Sequence, residues 1–104
     1  MPGALIIDVN RGGCHLGAPH KGYFSPYRIP TLQDGPDGEY LTDRLTDEAV
    51  SLIEGADIDE PFFLNFWHYT VHTPIQAKEK DIAYFKDKAR RMGLDRRGVH
   101  VIHT

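Results

Sequence analysis

Residues 61–67, PFFLNFW, are the feature that most limits what this chain can fold into. The run is short, aromatic and almost entirely apolar, which is typical of a strand buried on both faces of a parallel sheet. Residues 4–7, ALII, provide at most one further short strand. Because a strand needs hydrogen-bonding neighbours, we expect the rest of the sheet to come from outside this chain.

The segments flanking this run have helical periodicity. In residues 41–54, apolar side chains recur on one helical face, and they are Leu41, Leu45, Ala49 and Leu52/Ile53. Thr42 is the predicted N-cap and Gly55 the predicted C-terminal stop. Residues 78–93 repeat the pattern and are predicted to stop at Gly93, with the apolar positions Ile82, Phe85, Ala89 and Met92. The predicted fold class is α/β, with helix–strand–loop–helix in residues 41–95.

Residues 1–40 are dense in glycine and proline and have no regular period, so we expect mostly loop. A loop of that length is usually functional or lacks a partner. Within GYFSPYRIP, two interpretations are open. The aromatic and basic side chains line an entrance where a sugar or aryl ring stacks, or the segment is a proline-fixed surface loop, which we favour; the residues concerned are Tyr23, Phe24, Tyr27 and Arg28.

Composition argues against several classes of protein. The formal net charge is −3 and the basic residues are scattered, which argues against nucleic-acid binding. No run approaches the roughly 20 apolar residues of a membrane span. Residues 1–7 contain too short an apolar run for a signal peptide, and Cys14, the single cysteine, excludes an internal disulfide. Neither observation indicates a compartment.

His68 and His72 follow the predicted strand, at the end where ligands collect in open α/β sheets. Such a histidine can bind an anionic ester or exchange protons near neutral pH. The alternative, favoured on spacing alone, is a structural role. Zinc binding is disfavoured, because the i, i+4 spacing lacks the glutamate of the metalloprotease motif and Pro74 opposes a helix. The remaining histidines have no recognisable ligand spacing, and they are His15, His20, His100 and His103.

The segments GEYLTDRLTDEAVSLIE and PFFLNFWHYTVHTPIQA resemble the middle of a type I sulfatase of the arylsulfatase kind. DVNRGGC and GYFSPYRIPTLQDGPDGEY resemble the irregular segment before it, so the resemblance covers residues 8–95. It implies that residues 1–104 are part of the N-terminal catalytic domain of an alkaline-phosphatase-like α/β fold. It also implies hydrolysis of sulfate esters, either aryl sulfates or sulfated sugars, with a formylglycine nucleophile and one calcium ion.

By this resemblance, His72 in VHTP matches the sulfate-contacting histidine of the family, and His68 lies close behind it. Histidine in that position stabilises charge on the sulfate oxygens or protonates the leaving oxygen. Lys78 matches no catalytic lysine, and we expect a solvated residue at the start of a helix. Proteins of this family are often periplasmic or secreted.

Several family elements are not found in the sequence. Cys14 lies in CHLGA, without the proline and arginine of the Cys/Ser-x-Pro-x-Arg modification motif, and is predicted to be a buried or loop thiol. No Asp-Asp pair is present to bind calcium. The acidic side chains are instead predicted to form turns and helix starts, and they are Asp34, Asp37, Asp43, Asp47 and Glu48.

We therefore expect a central fragment of a sulfatase, truncated or frameshifted at both ends and inactive alone for want of a nucleophile. The resemblance departs before Asp8 and after about Asp95. One alternative is a phosphatase or phosphodiesterase of the same superfamily, although HTPIQ favours a sulfatase. Another is a non-catalytic remnant or interaction module, which a cooperative melt of the chain would support.

Overall fold

The first amphipathic segment forms a helix, as predicted. In a computed structural model, which describes residues 8–94, helix α1 spans Leu41–Glu54 and buries Leu41, Leu45 and Ala49. The prediction of Thr42 as N-cap is wrong: the cap is Tyr40, whose backbone is extended. The helix starts there because the Leu41 N–H is bound by the Tyr23 carbonyl at 2.7 Å. At its other end the Gly55 N–H donates to the Ser51 carbonyl, so the predicted stop is confirmed.

The second amphipathic segment forms helix α2, Glu79–Arg91, which also confirms the prediction. Acidic side chains lie in its first turn and basic ones in its last, which complements the helix dipole. Ile82 and Ala89 are buried, whereas Phe85 and Met92, predicted on the same face, are exposed. Gly93 has φ +71°, a left-handed conformation that favours glycine and ends the helix as predicted.

The buried strand predicted at residues 61–67 is not formed in the part of the chain that the structure describes. These residues have no assigned secondary structure, and Phe63 and Trp67 are 90% and 81% exposed. Within residues 8–94, strand-type pairing is confined to one isolated antiparallel bridge between Phe24 and Tyr40. The physical reason is that no described segment offers a neighbouring strand. The strand predicted at residues 4–7 lies outside the described residues.

The glycine- and proline-rich half supplies most of the core. The main cluster of buried apolar side chains joins it to α1, and its members are Tyr23, Tyr27, Ile29, Leu32, Leu41 and Leu45. Both interpretations of GYFSPYRIP, a stacking entrance and a surface loop, are therefore wrong for Tyr23 and Tyr27, which are almost fully buried. Their aromatic rings pack against α1 instead of facing a ligand, while Arg28 remains exposed.

Asp34 shapes this irregular segment. Its Oδ1 accepts hydrogen bonds from the backbone N–H groups of Tyr27 and Arg28, each at 2.9 Å. Arg28 has φ +56°, and its guanidinium lies 3.6 Å from Asp34 Oδ2. The role of Asp34 as a turn former is confirmed. A carboxylate therefore provides the backbone partners that a helix or sheet would otherwise supply.

The molecule is elongated, with principal extents of 56 × 28 × 26 Å and a Cα radius of gyration of 17.7 Å. A compact domain of this length has a radius of about 13 Å. The elongated shape is consistent with the exposure of residues 61–67, whose large side chains are not packed into the core. Among the described residues, no helix is both long and apolar enough to cross a membrane.

Candidate functional site

His72 lies in a tight turn that follows the exposed segment. Its backbone N–H donates to the Tyr69 carbonyl at 3.0 Å, and its side chain is exposed. Ring atom Nδ1 lies 3.0 Å from the Thr73 carbonyl oxygen and 3.2 Å from Thr73 Oγ1. A carbonyl only accepts, so this contact favours the tautomer in which Nδ1 carries the proton. Nε2 is then the basic nitrogen, available to an anion or a leaving group once protonated.

Tyr23 holds this turn against the core. Its hydroxyl donates to the carbonyl oxygens of Tyr69 and His72, at 2.8 and 2.7 Å. Its backbone N–H donates to Gln76 Oε1 at 2.7 Å. Burial, and then the neighbouring Tyr40, raise the pKa of Tyr23. The phenol therefore stays neutral and keeps its donor proton.

Tyr69 anchors the start of the same turn. Its hydroxyl donates to the Gly12 carbonyl at 2.5 Å, so it can only accept from the Cys14 thiol, 3.3 Å away. Burial raises the pKa of the Tyr69 hydroxyl. Cys14 is half-buried in a loop, which confirms the prediction of a loop thiol.

Two further contacts attach the turn and the segment after it to α1. Thr70 and Thr42 share a hydrogen bond between their hydroxyls at 2.6 Å. Lys78 Nζ lies 2.5 Å from Asp43 Oδ2 and 5.7 Å from the centre of the Tyr40 ring. Lys78 is the N-cap residue of α2, so its predicted position is confirmed, but it is paired with Asp43 and not simply solvated. Hydrogen bonding to Asp43 raises the pKa of Lys78.

His68 is arranged differently from His72. It is exposed, and its ring lies 4.4 Å from the ring of Phe66, centre to centre. The hydrogen bonds of residues 8–94 join it neither to His72 nor to the core. The structure therefore anchors one of the two candidate histidines and leaves the other on the exposed segment.

Some of the acidic side chains pair with arginines. Arg44 bridges Glu39 and Glu48 at 3.1 and 2.9 Å, and Glu48 also pairs with Arg11. Within residues 8–94, no three or more histidine, cysteine or acidic side chains converge on a possible metal position. These residues do not fit the calcium ion that the family resemblance implies. His100 and His103 lie outside the described residues.

Sequence reasoning missed the residues that fix the histidine turn, Tyr23 and Tyr69. The sequence predicts Tyr23 to lie in a surface loop or a ring-stacking entrance, and it predicts no role for Tyr69. The available signal was the proline-fixed GYFSPY segment, because tyrosines in a rigid loop bury their rings at little entropic cost. A scan against protein-family models and a search of curated proteins both found no match to the chain.

Proposed function

We propose that this chain is part of the catalytic domain of a sulfuric ester hydrolase of the arylsulfatase kind, with His72 as its contact to the sulfate group. One observation carries the proposal: His72 has an exposed imidazole on backbone that is hydrogen-bonded to the core, a few residues after an exposed apolar segment. A group that binds an anionic ester must be both accessible and fixed in position. His72 meets both requirements, whereas His68 meets only the first.

The exposed apolar side chains support the view that other strands of the parent enzyme cover this region. Phe62, Phe63 and Trp67 lie at the surface, and Ile58 and Val71 extend the same apolar stretch. Exposed apolar patches of this kind usually mark surfaces that another segment or protein covers. In the proposed domain, residues 61–67 join a sheet and present the following turn at its edge.

The chemistry assigned to this chain is limited to His72. As imidazolium it donates a hydrogen bond to a sulfate oxygen, or a proton to the leaving oxygen as the ester bond breaks. The nucleophile and the cation are assigned to other parts of the parent enzyme, since Cys14 and the acidic residues here do not fit those roles. The chain alone is therefore expected to be inactive.

Sequencing the gene on both sides tests the proposal most directly. We expect a Cys/Ser-x-Pro-x-Arg motif and an Asp-Asp pair in one of the upstream frames. Stop codons and unrelated sequence on both sides would instead indicate a non-catalytic remnant. An upstream metal site without that motif would favour a phosphatase or phosphodiesterase.

A graft tests the role of the histidine. Residues 8–94, which include the partners of the histidine turn, would replace the matching segment of an arylsulfatase, and hydrolysis of 4-nitrophenyl sulfate would be measured beside 4-nitrophenyl phosphate. We expect sulfatase activity in the graft, its loss in His72→Ala, and a much smaller effect in the matched control His68→Ala. Equal effects of the two substitutions would contradict the assignment of His72.

A further inference from the structure

We propose that Tyr23 is a positioning residue for His72, fixing the backbone from which the imidazole projects. What His72 binds rests on the proposed function, but the positioning itself does not. The inference rests on a single hydroxyl that spans two carbonyls of one turn, 46 and 49 residues away along the chain.

The geometry of the turn explains the effect. The Tyr23 proton is shared between the carbonyls of Tyr69 and His72, while the His72 N–H closes the turn onto the same Tyr69 carbonyl. The residues at both ends of the turn are thus held by one donor. Fixing the His72 peptide restricts the direction of its Cα–Cβ bond, and so the region that the ring can reach.

Tyr23 can do this because it is itself fixed. Its ring is 2% exposed, and its carbonyl accepts from the Leu41 N–H at the start of α1. Its N–H is held by Gln76, four residues beyond His72. Gly22 makes the close approach possible, since it has φ +97° and a Cβ there would lie 2.7 Å from Gln76 Oε1. Helix α1, Tyr23 and the histidine turn are therefore linked by direct hydrogen bonds.

The chain offers a matched control in Tyr27. It is also a fully buried tyrosine of the same cluster, and its hydroxyl donates within the loop half, to the Glu39 carbonyl at 2.8 Å. Removing either hydroxyl keeps the ring and its packing. Tyr23→Phe and Tyr27→Phe thus both delete a buried donor, but only the first alters the histidine turn.

The test is NMR on the full chain with both variants. We expect Tyr23→Phe to shift the ring C–H and backbone amide signals of His72 and to speed exchange of its amide proton by roughly fivefold to tenfold beyond the effect of lost global stability. Tyr27→Phe should leave those His72 signals in place. Unchanged His72 signals in Tyr23→Phe, or equal changes in both variants, would overturn the proposal.

A second measurement decides the matter if Tyr23→Phe does not fold. In the unaltered chain, a bonded Tyr23 hydroxyl proton should exchange slowly and show cross-relaxation with backbone atoms of Tyr69 and His72. Its absence in a folded sample would overturn the positioning role. Activity of the arylsulfatase graft separates the two proposals, because a positioned His72 whose replacement by alanine leaves sulfatase activity in the graft unchanged contradicts the proposed function alone.

Discussion

The hydroxyl of Tyr69 donates a 2.5 Å hydrogen bond to the carbonyl oxygen of Gly12, which lies 57 residues earlier in the chain. With the bonds from Tyr23, it joins the irregular first half to the histidine turn across α1. Contacts between residues so far apart in the chain carry an entropic cost, because the intervening chain must be closed into a loop. They form only when the glycine-rich half that supplies Gly12 and Tyr23 is itself ordered. The order of the histidine turn therefore depends on the order of the glycine-rich half.

Tyr69→Phe tests this dependence. The substitution leaves the buried Gly12 carbonyl without its donor, so we expect a loss of about 1–3 kcal/mol in the free energy of unfolding. Urea unfolding followed by circular dichroism measures it. Tyr84→Phe is the control, since Tyr84 is half-exposed on α2 and its substitution should change stability by less than about 0.5 kcal/mol. Equal stability of the two variants would contradict the prediction.

Gly12 is a second point at which the loop half is constrained. Its φ is +93°, and an added Cβ would lie 2.8 Å from Leu45 Cδ2 in the core. We expect Gly12→Ala to cost about 1–3 kcal/mol through backbone strain, in addition to the displacement of Leu45. Gly17 offers the control, because nothing lies within 4 Å of its added Cβ.

Urea unfolding of Gly12→Ala and Gly17→Ala, side by side, checks this prediction. Gly17→Ala should unfold at the urea concentration of the unaltered chain or slightly above it, since alanine restricts the unfolded state. A Gly12→Ala variant as stable as Gly17→Ala would show that Gly12 is not held in the left-handed conformation.

The buried tyrosines predict how stability depends on pH. Burial raises the pKa of Tyr27, with further contributions from Glu39, and it also raises the pKa of Tyr23 and Tyr69. Tyrosines in the unfolded chain lose their protons near pH 10, while the folded chain retains them to higher pH. These groups therefore leave stability unchanged below about pH 10 and reduce it as the pH rises further.

Urea midpoints measured from about pH 8 to about pH 11 test this dependence. We expect a flat profile up to about pH 10 and a fall above it, with the tyrosinate absorbance of Tyr23, Tyr27 and Tyr69 appearing only on unfolding. Tyr27→Phe and Tyr69→Phe should make the fall less steep, because each removes one shifted group, while Tyr84→Phe serves as the control. If stability falls equally steeply with pH in all three variants, the fall is caused by groups other than Tyr27 and Tyr69.

Periodicity was sufficient to predict the helices but not the core. Leu41 and Leu45 could be placed on a buried face because helical spacing puts them there. Tyr23 and Tyr27 could not, because a segment without a period shows no inward face, and their burial depends on contacts with Glu39 and with residues beyond 68. The apolar pattern of residues 61–67 indicates a buried strand. Burial of a strand also requires a neighbouring strand, and the sequence of this segment does not show whether one is present.

The exposed segment gives the last prediction. Phe63 is 90% exposed, so Phe63→Lys should change the free energy of unfolding by less than about 0.5 kcal/mol, whereas Ile29→Lys, at a buried core position, should unfold the chain. Trp67 is the single tryptophan, and its fluorescence should be that of a water-exposed indole and be readily quenched by acrylamide. Urea unfolding and fluorescence measure the two effects.

Phe63→Lys should also reduce association between chains, because it places a charge in an uncharged, exposed apolar segment. A shielded Trp67 that becomes exposed on dilution would mean that a second copy covers the segment. A Trp67 shielded at every concentration, with Phe63→Lys strongly destabilising, would contradict the exposed arrangement itself. If strands of a parent enzyme cover the segment, we expect a third result: Trp67 is exposed in this chain and becomes shielded when residues 8–94 are grafted into an arylsulfatase.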